Sequence, residues 1–274
     1  MSDGGLPPEF LERARAAQDP SFVPAPARDA ATVALVRDAP GGLEVYLLRR
    51  VRGMAFAGGM HVFPGGSVDL ADASAAVGWA GPTAADWAVD LTTSEPLARS
   101  LVCAAVRETF EESGVLLAGV DGQDLLPDVS SDDWEAERVA LEGRQHSLSE
   151  LLARRGLVLR SDLLRPLAHW ITPEVEPKRF DTRFFLARLP EGQVTRAAGT
   201  EADQRLWVRP ADALEQGLGM LPPTRAVLEE LSAYADVDAA LAAPRALTPI
   251  LPRLLVGADD RLVFLLPGDD GYPA

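Results

Sequence analysis

The chain has 274 residues, of which 47% are hydrophobic, 24% charged and 6% aromatic. That length buries a full core, as one large domain or a domain with insertions, and the composition excludes disorder along the whole chain. Lys and Arg number 26 against 41 Asp and Glu, a formal charge of −15 that repels polyanions, so nucleic acid is not an expected partner. The lone cysteine, Cys103, excludes a disulfide framework and a multi-cysteine zinc site within one chain. No run reaches the roughly 18 apolar residues of a membrane span. The start, Met-Ser-Asp-Gly-Gly, lacks the basic and apolar stretches of a signal peptide, so a cytoplasmic location with no membrane partner is expected.

The first thirty residues are rich in Pro, Ala and Arg and are expected as a flexible lead-in with one or two helical turns. Thr32–Val36 and Leu43–Leu48 are β-prone runs separated by Asp38-Ala-Pro-Gly-Gly42, which predicts a hairpin. A Gly-rich stretch follows and ends in His61-Val-Phe-Pro-Gly-Gly66. Residues 73–96 carry no β period and are expected as a helical excursion or loop. Leu97–Gly114 has a helical pattern, with Leu101, Ala105 and Thr109 on one side and Gly114 where a helix C-terminus takes a positive φ. Residues 121–155 are acidic and then helical. Arg165–Trp170, Arg183–Leu189 and Arg205–Val208 predict strands, Pro222–Ala235 a helix, and the last thirty residues a terminal hairpin. This order implies an α/β layered fold: a lead-in over 1–30, a main domain over 31–240 with insertions near 73–96 and 121–155, and an extension over 241–274 packed on it.

The chemistry concentrates in Arg107-Glu-Thr-Phe-Glu-Glu-Ser-Gly-Val115. On a helix Glu108 stands three and four residues from Glu111 and Glu112, so three carboxylates crowd one face, at a cost of roughly 0.2–0.5 kcal/mol per pair. Arg107 alone cannot neutralise three acids, whereas a hard divalent cation, Mg²⁺ or Mn²⁺, takes oxygen ligands and keeps waters for a substrate. A solvated acidic face is the plain alternative. Upstream, Phe63-Pro-Gly-Gly-Ser-Val-Asp69 leaves the backbone of Gly65 and Gly66 open to a phosphate or a metal, or else forms an ordinary strand-to-loop turn. Arg49, Arg50 and Arg52 follow a β-prone run, from which they either reach phosphates or stay solvated. Lys178, the one lysine, and Arg179 follow Pro177 and are candidates to steer an anion. His61, His169 and Cys103 read as packing residues; Trp170 and Phe180 either stack a base or fill the core.

Together the two pieces resemble the signature of the Nudix hydrolase family, G-x5-E-x7-R-E-U-x-E-E-x-G-U, in which U is a bulky aliphatic residue. Gly66 stands at the opening glycine, and Arg107-Glu108, Glu111-Glu112, Gly114 and Val115 match the second half. Three features depart from it. Asp72 stands where the first glutamate belongs, Thr109 holds an aliphatic position, and 34 residues rather than seven separate Asp72 from Arg107. A search demanding strict spacing misses such a chain. The split box, with Tyr46-Leu-Leu-Arg-Arg50, Met60–Gly66, His169-Trp-Ile-Thr-Pro173, Lys178–Phe185, Trp207–Pro210 and Leu221–Thr224, is similar to the coenzyme A diphosphatase branch of that family. The likeness runs over residues 32–232.

The resemblance implies the Nudix fold, a mixed β-sheet sandwiched between helices (α/β/α) with helical insertions. It implies a metal-dependent hydrolase of a nucleoside diphosphate linked to another moiety. Coenzyme A or acyl-CoA, giving adenosine 3′,5′-bisphosphate and 4′-phosphopantetheine, is the first expectation. ADP-ribose, a dinucleotide or a nucleotide sugar is the enzymatic alternative, and a non-catalytic nucleotide-binding module the other. By the same resemblance Glu108, Glu111 and Glu112 are metal carboxylates, with the Gly66 carbonyl a further ligand. Glu111, Glu112 and a loop acid, Glu201 before Asp203, carry the catalysis. Arg107 orients a glutamate, and Arg49, Arg50, Gly65, Gly66, Lys178 and Arg179 meet the substrate. The expected cofactor is Mg²⁺ or Mn²⁺ and the expected partner a small-molecule diphosphate. The insertions read as lids or as dimer contacts, which leaves a homodimer open.

Overall fold

The structure is a computed structural model that describes residues 8–53, 57–74, 76–197, 199, 201–257 and 261–272. In chain order, a nine-residue helix α1 (Pro8–Ala16) is followed by the strands β1 (Ala27–Ala39) and β2 (Gly42–Arg50). These two form the expected hairpin, antiparallel with Ala39 opposite Gly42. The short strands β3 (His61–Val62) and β4 (Gly65–Ser67) pair with β2 and β1 respectively. Then come β5 (Trp79–Ala80), α2 (Ala84–Asp90), α3 (Glu95–Ser113), β6 (Ala118–Gly119), α4 (Asp132–Glu142), α5 (Leu148–Arg155) and β7 (Val158–Arg160). The remainder is β8 (Leu164–Ile171), β9 (Arg179–Arg188), β10 (Ala202–Val208), α6 (Pro210–Glu215), α7 (Pro222–Leu231), α8 (Val237–Ala242), β11 (Arg253–Val256) and β12 (Leu262–Leu265).

Two compact units emerge. The larger holds Ala30–Ala168 and Arg183–Leu247; the smaller holds Met1–Asp29, His169–Thr182 and Thr248–Ala274. The main sheet runs β10-β2-β1-β9-β8, with β3 and β4 attached to the central hairpin. Alternation along its strands builds the core. Val33 and Leu35 of β1 and Tyr46 and Leu48 of β2 share one face, where they pack with Leu101, Val102, Ala105 and Val106 of α3. Ala34, Val36, Val45 and Leu47 are also fully buried, on the opposite face, where α6 meets β2. The result is the expected α/β architecture, a mixed sheet with helices on both sides.

The two insertions are not separate excursions. β5, from the first, pairs in parallel with β7, which follows the second, and β6 completes a three-stranded sheet. Thr83 and Asp86 form a capping box that starts α2, and α2 buries Trp87 edge-on to Phe185 with centroids 5.6 Å apart. Ser147 and Glu150 cap α5 in the same way. The first insertion therefore returns directly into α3, which starts at Glu95, well before the signature residues.

In the smaller unit, residues from the expected lead-in and from the C-terminal segment come together. Ala14, Val175 and Leu254 form a small core, with Val256, Leu262 and Phe264 against it. Arg13 pairs with Glu176 at 2.9 Å, and Arg253 pairs with Glu174. The terminal hairpin forms as β11 and β12, with Leu254 opposite Phe264.

Candidate active site

The site is built on α3. The last turns of this helix are buried through Thr109 and Phe110, and Gly114 closes it at φ 74°. A Cβ at Gly114 would also lie 2.6 Å from the Arg196 side chain, so the position needs glycine for conformation and for space. Thr109, the departure from an aliphatic residue, keeps its hydroxyl satisfied by donating to the Ala105 carbonyl at 2.7 Å. Ser113 donates likewise to the Thr109 carbonyl. Both hydroxyls therefore fit an apolar environment.

Arg107 rejoins the split halves of the signature. Asp72 sits in a single 3₁₀ turn (Leu70–Ala73), 35 positions upstream, and is buried. The Arg107 Nε and Nη2 atoms donate to its carboxylate at 3.0 Å each, a fork-to-fork geometry that a point charge does not match. Nη2 also donates to the Ser67 carbonyl at 2.9 Å, and Nη1 donates to Glu108 at 2.8 Å and Glu111 at 3.3 Å. Burial alone would lower the Arg107 pKa, but the bonds to Asp72 and the charges of Glu108 and Glu111 overcome it and raise the pKa. Arg107 thus bonds at once to Asp72, Glu108 and Glu111, with Asp72 anchoring its guanidinium.

The glycine loop closes on the same acids. β4 pairs Gly65 with Thr32 and Gly66 with Ala31. A Cβ at Gly65 would fall 2.4 Å from the Thr32 hydroxyl, and one at Gly66 would fall 2.4 Å from Glu108 Oε1. The Gly65 N–H donates to Glu112 Oε2 at 2.8 Å. Glu108 and Glu112 therefore flank the two glycines. Burial raises all three carboxyl pKa values, Glu108 to about 7. Glu112 is held well above the usual carboxylate range, first by burial and then by Glu108, while the Gly65 N–H and Arg50 oppose the shift.

Among the described residues, no three His, Cys, Asp or Glu side chains are drawn together as a ready-made metal cage. The reason is visible: Arg107 spans Glu108 and Glu111, and Glu112 bonds to Gly65. A hard cation of the Mg²⁺ type needs only one or two carboxylates and fills its remaining positions with water and phosphate. Glu108 and Glu112, one turn apart, mutually repelling and buried beside a glycine stripped of side-chain bulk, fit that demand. The donor set is all oxygen, which excludes soft-metal chemistry.

Of the two adjacent arginines, Arg50 alone shares the face of Glu112. Consecutive strand residues point to opposite sides, and Tyr46, which is on the Arg50 side, also feels the Glu112 charge. Arg50 donates to Glu201 at 3.0 Å, and its Nε is buried without a hydrogen-bond partner. Arg49 turns to the other face and donates to Asp203 at 2.7 Å. The two arginines therefore turn to opposite faces, and the two loop acids are separated with them, leaving Glu201 on the Arg50 side. Glu201 acts on Glu112 by charge and has a 59% exposed side chain.

Lys178 and Arg179 belong to the smaller unit. The Arg179 guanidinium donates to the carbonyls of Thr172 and Ala25. His61 is buried, with Nδ1 3.1 Å from the Gly219 carbonyl. His169 is also buried and sits 2.6 Å from Asp181. Burial pushes the Cys103 thiol up to about 12, with Asp72 adding to it, as suits a packing residue. Two participants escaped sequence reasoning. Tyr46 packs on Trp207 with centroids 5.3 Å apart and has its phenol pushed up to about 12 by burial. Arg138, from α4, is buried and donates to the Glu111 backbone carbonyl at 2.8 Å while pairing with Glu135 and Glu142. Tyr46 opens a run that carries the branch resemblance but was given no role there, and the only signal for Arg138 was its place among Glu135, Glu137 and Glu142 in a helical run.

No family model matches the chain. Among curated proteins, the acyl-coenzyme A diphosphatase NUDT19 of Gallus gallus is 29% identical over 310 residues, covering 90% of this chain and 80% of the relative. Its namesake in Homo sapiens is 30% identical over 278 residues, covering 84% of this chain and 72% of the relative. Among solved structures, the crystal structure of a Nudix hydrolase from Alicyclobacillus acidocaldarius superposes with a TM-score of 0.65 at 31% identity, covering 81% of this chain and 98% of that one.

Proposed function

Because the chain belongs to the Nudix hydrolase family, as a coenzyme A diphosphatase-like pyrophosphohydrolase, we propose that it is a divalent-metal-dependent diphosphatase of coenzyme A or acyl-CoA. Its products would be adenosine 3′,5′-bisphosphate and 4′-phosphopantetheine or the acylated form. The observation that carries this reading is the acidic end of α3, where Glu108 and Glu112 flank Gly66 and Gly65 and Arg107 ties Glu108 and Glu111 to Asp72. The substrate class follows the relatives' activity, and Mg²⁺ or Mn²⁺ follows the all-oxygen donors.

Glu108 and Glu112 would hold the ion, with Glu111 and the Gly66 carbonyl as further donors. A divalent ion supplies Lewis-acid charge that neutralises phosphoryl oxygens and lowers the pKa of water. In the reaction water adds to one phosphorus, the bridging P–O bond breaks, and the departing phosphate keeps the bridging oxygen. Each residue has a part in that sequence. Arg107 fixes Glu108 and Glu111 in place. Arg50, charged and carrying an unused Nε, meets the anionic diphosphate. Glu201, held by Arg50 at the exposed rim, takes the proton that the attacking water gives up.

Product analysis by mass spectrometry tests this directly, after incubation with coenzyme A and Mg²⁺, Mn²⁺ or chelator, beside ADP-ribose, a reduced dinucleotide and a nucleoside triphosphate. Metal-dependent release of phosphopantetheine with the bisphosphate is the expected result. Cleavage of another substrate alone would discard the coenzyme A assignment and keep the carboxylate chemistry.

A further inference from the structure

The smaller unit contains a concavity of ≈ 200 Å³ lined by Ala25, Pro26, Arg28, Pro177, Lys178 and Arg179. Three of its six lining residues are cations and none is an acid, in a chain of net charge −15. The one lysine of the sequence is among them.

Other cations of the same unit are paired with acids. Arg13 and Arg253, in the same unit, are bonded to Glu176 and Glu174. Arg28, by contrast, makes no hydrogen bond or ion pair among the described residues. Lys178 is exposed, and its one interaction among the described residues is with the Phe180 ring, 5.3 Å from Nζ to the centroid. Arg179 is the buried member. Its Nε and Nη1 hold the Thr172 and Ala25 carbonyls, which fixes the segment before β1 to the turn before β9, and its Nη2 makes no hydrogen bond among the described residues. Pro26 and Pro177 stiffen the two walls, because proline fixes φ. The result is a cradle in which, among the described residues, the Arg28 guanidinium, the Lys178 ammonium and one Arg179 nitrogen make no hydrogen bond or ion pair.

We propose that this concavity binds a phosphomonoester-type dianion. A planar guanidinium fork and a compact ammonium together suit tetrahedral phosphate oxygens, and a dianion compensates more of the assembled charge than a carboxylate does. The free ligand and the same group on a nucleotide share this chemistry. The site lies wholly within the smaller unit and does not depend on the hydrolase reading.

The test is calorimetric titration of the full chain with inorganic phosphate at low ionic strength and in excess chelator. Chelator removes the cation through which the α3 acids would recruit an anion, so phosphate binding there reports on the cradle. We expect saturable binding that weakens about tenfold in Arg28→Ala and in Lys178→Ala, is lost in Lys178→Glu, and recovers in part with Arg28→Lys. These positions are exposed, so unchanged melting curves establish that the variants fold. Adenosine 3′,5′-bisphosphate binding tenfold tighter than phosphate identifies a nucleotide as the source; equal affinity identifies free phosphate. Absence of saturable binding by the intact chain, or equal affinity in both alanine variants, overturns the proposal. Hydrolysis assays run in parallel separate that failure from failure of the diphosphatase assignment.

Discussion

In the metal-free protein burial and then Glu108 push the Glu112 carboxyl toward its protonated form, and only an N–H and an arginine favour the ionised one. Glu112→Gln keeps the size and the acceptor for the Gly65 N–H but removes the charge. On the proposed function, turnover should fall by about a hundredfold or more, since the variant removes a carboxylate assigned to the metal. In chelator the same variant should be more stable than the parent, because burial beside Glu108 disfavours the ionised carboxylate. Melting curves with and without metal read the second effect, and near-normal turnover would remove Glu112 from the metal site. Glu201 sits at an exposed rim, so Glu201→Gln should lower kcat tenfold or more with little change in KM. An unchanged kcat would leave the reaction without a loop acid on this side, since Asp203 is taken by Arg49 on the other face.

At the level of elements, α4 is more than a spacer. Arg138 reaches from it to the Glu111 carbonyl, inside the turn that carries the acids. Arg138→Ala leaves Glu135 and Glu142 without their shared cation and that carbonyl without its donor. A loss of about 2 kcal/mol in stability is expected, together with weaker metal binding by titration. Metal affinity equal to the parent's would confine Arg138 to a purely structural role. This arrangement marks the limit of what could be read beforehand. The α3 helix, the glycine loop and the hairpin were legible because each has a local cause: 3.6-residue periodicity, adjacent glycines, a Pro/Gly turn. The pairing of β5 with β7 was not, since strands of two and three residues have no period to detect. Nor was the division of labour between Arg49 and Arg50, which depends on the phase of a strand, and a one-residue slip would exchange them.

For the whole molecule, the three raised carboxyl pKa values set a pH dependence opposite to the usual acid unfolding. The native metal-free state keeps protons on these groups above the ordinary value of 4.5, whereas the unfolded chain releases them. Native protein therefore binds more protons between about 4.5 and about 7, and stability falls as pH rises through that window. Urea midpoints in chelator should be higher at pH 5 than at pH 7.5. Saturating Mg²⁺ should flatten or reverse the slope, because an ion that binds only the folded, ionised site stabilises it by mass action. Equal midpoints in chelator at the two pH values would show that burial does not hold these protons.

The bridge between Arg107 and Asp72 has one more consequence, and it concerns spacing rather than chemistry. Lengthening a closed loop from seven to 34 residues costs only about 1.4 kcal/mol of chain entropy, since each doubling adds about 0.6. A buried, forked ion pair with a carbonyl as third partner holds the two ends where the acids need them, whatever lies between. The interval is thereby released from the reaction it interrupts. Its turns can change while the atoms that matter keep their places, because α2 and the start of α3, which also lie in it, are fixed by the core. What the reaction needs here is a meeting point in space, and the spacing in sequence is secondary to it.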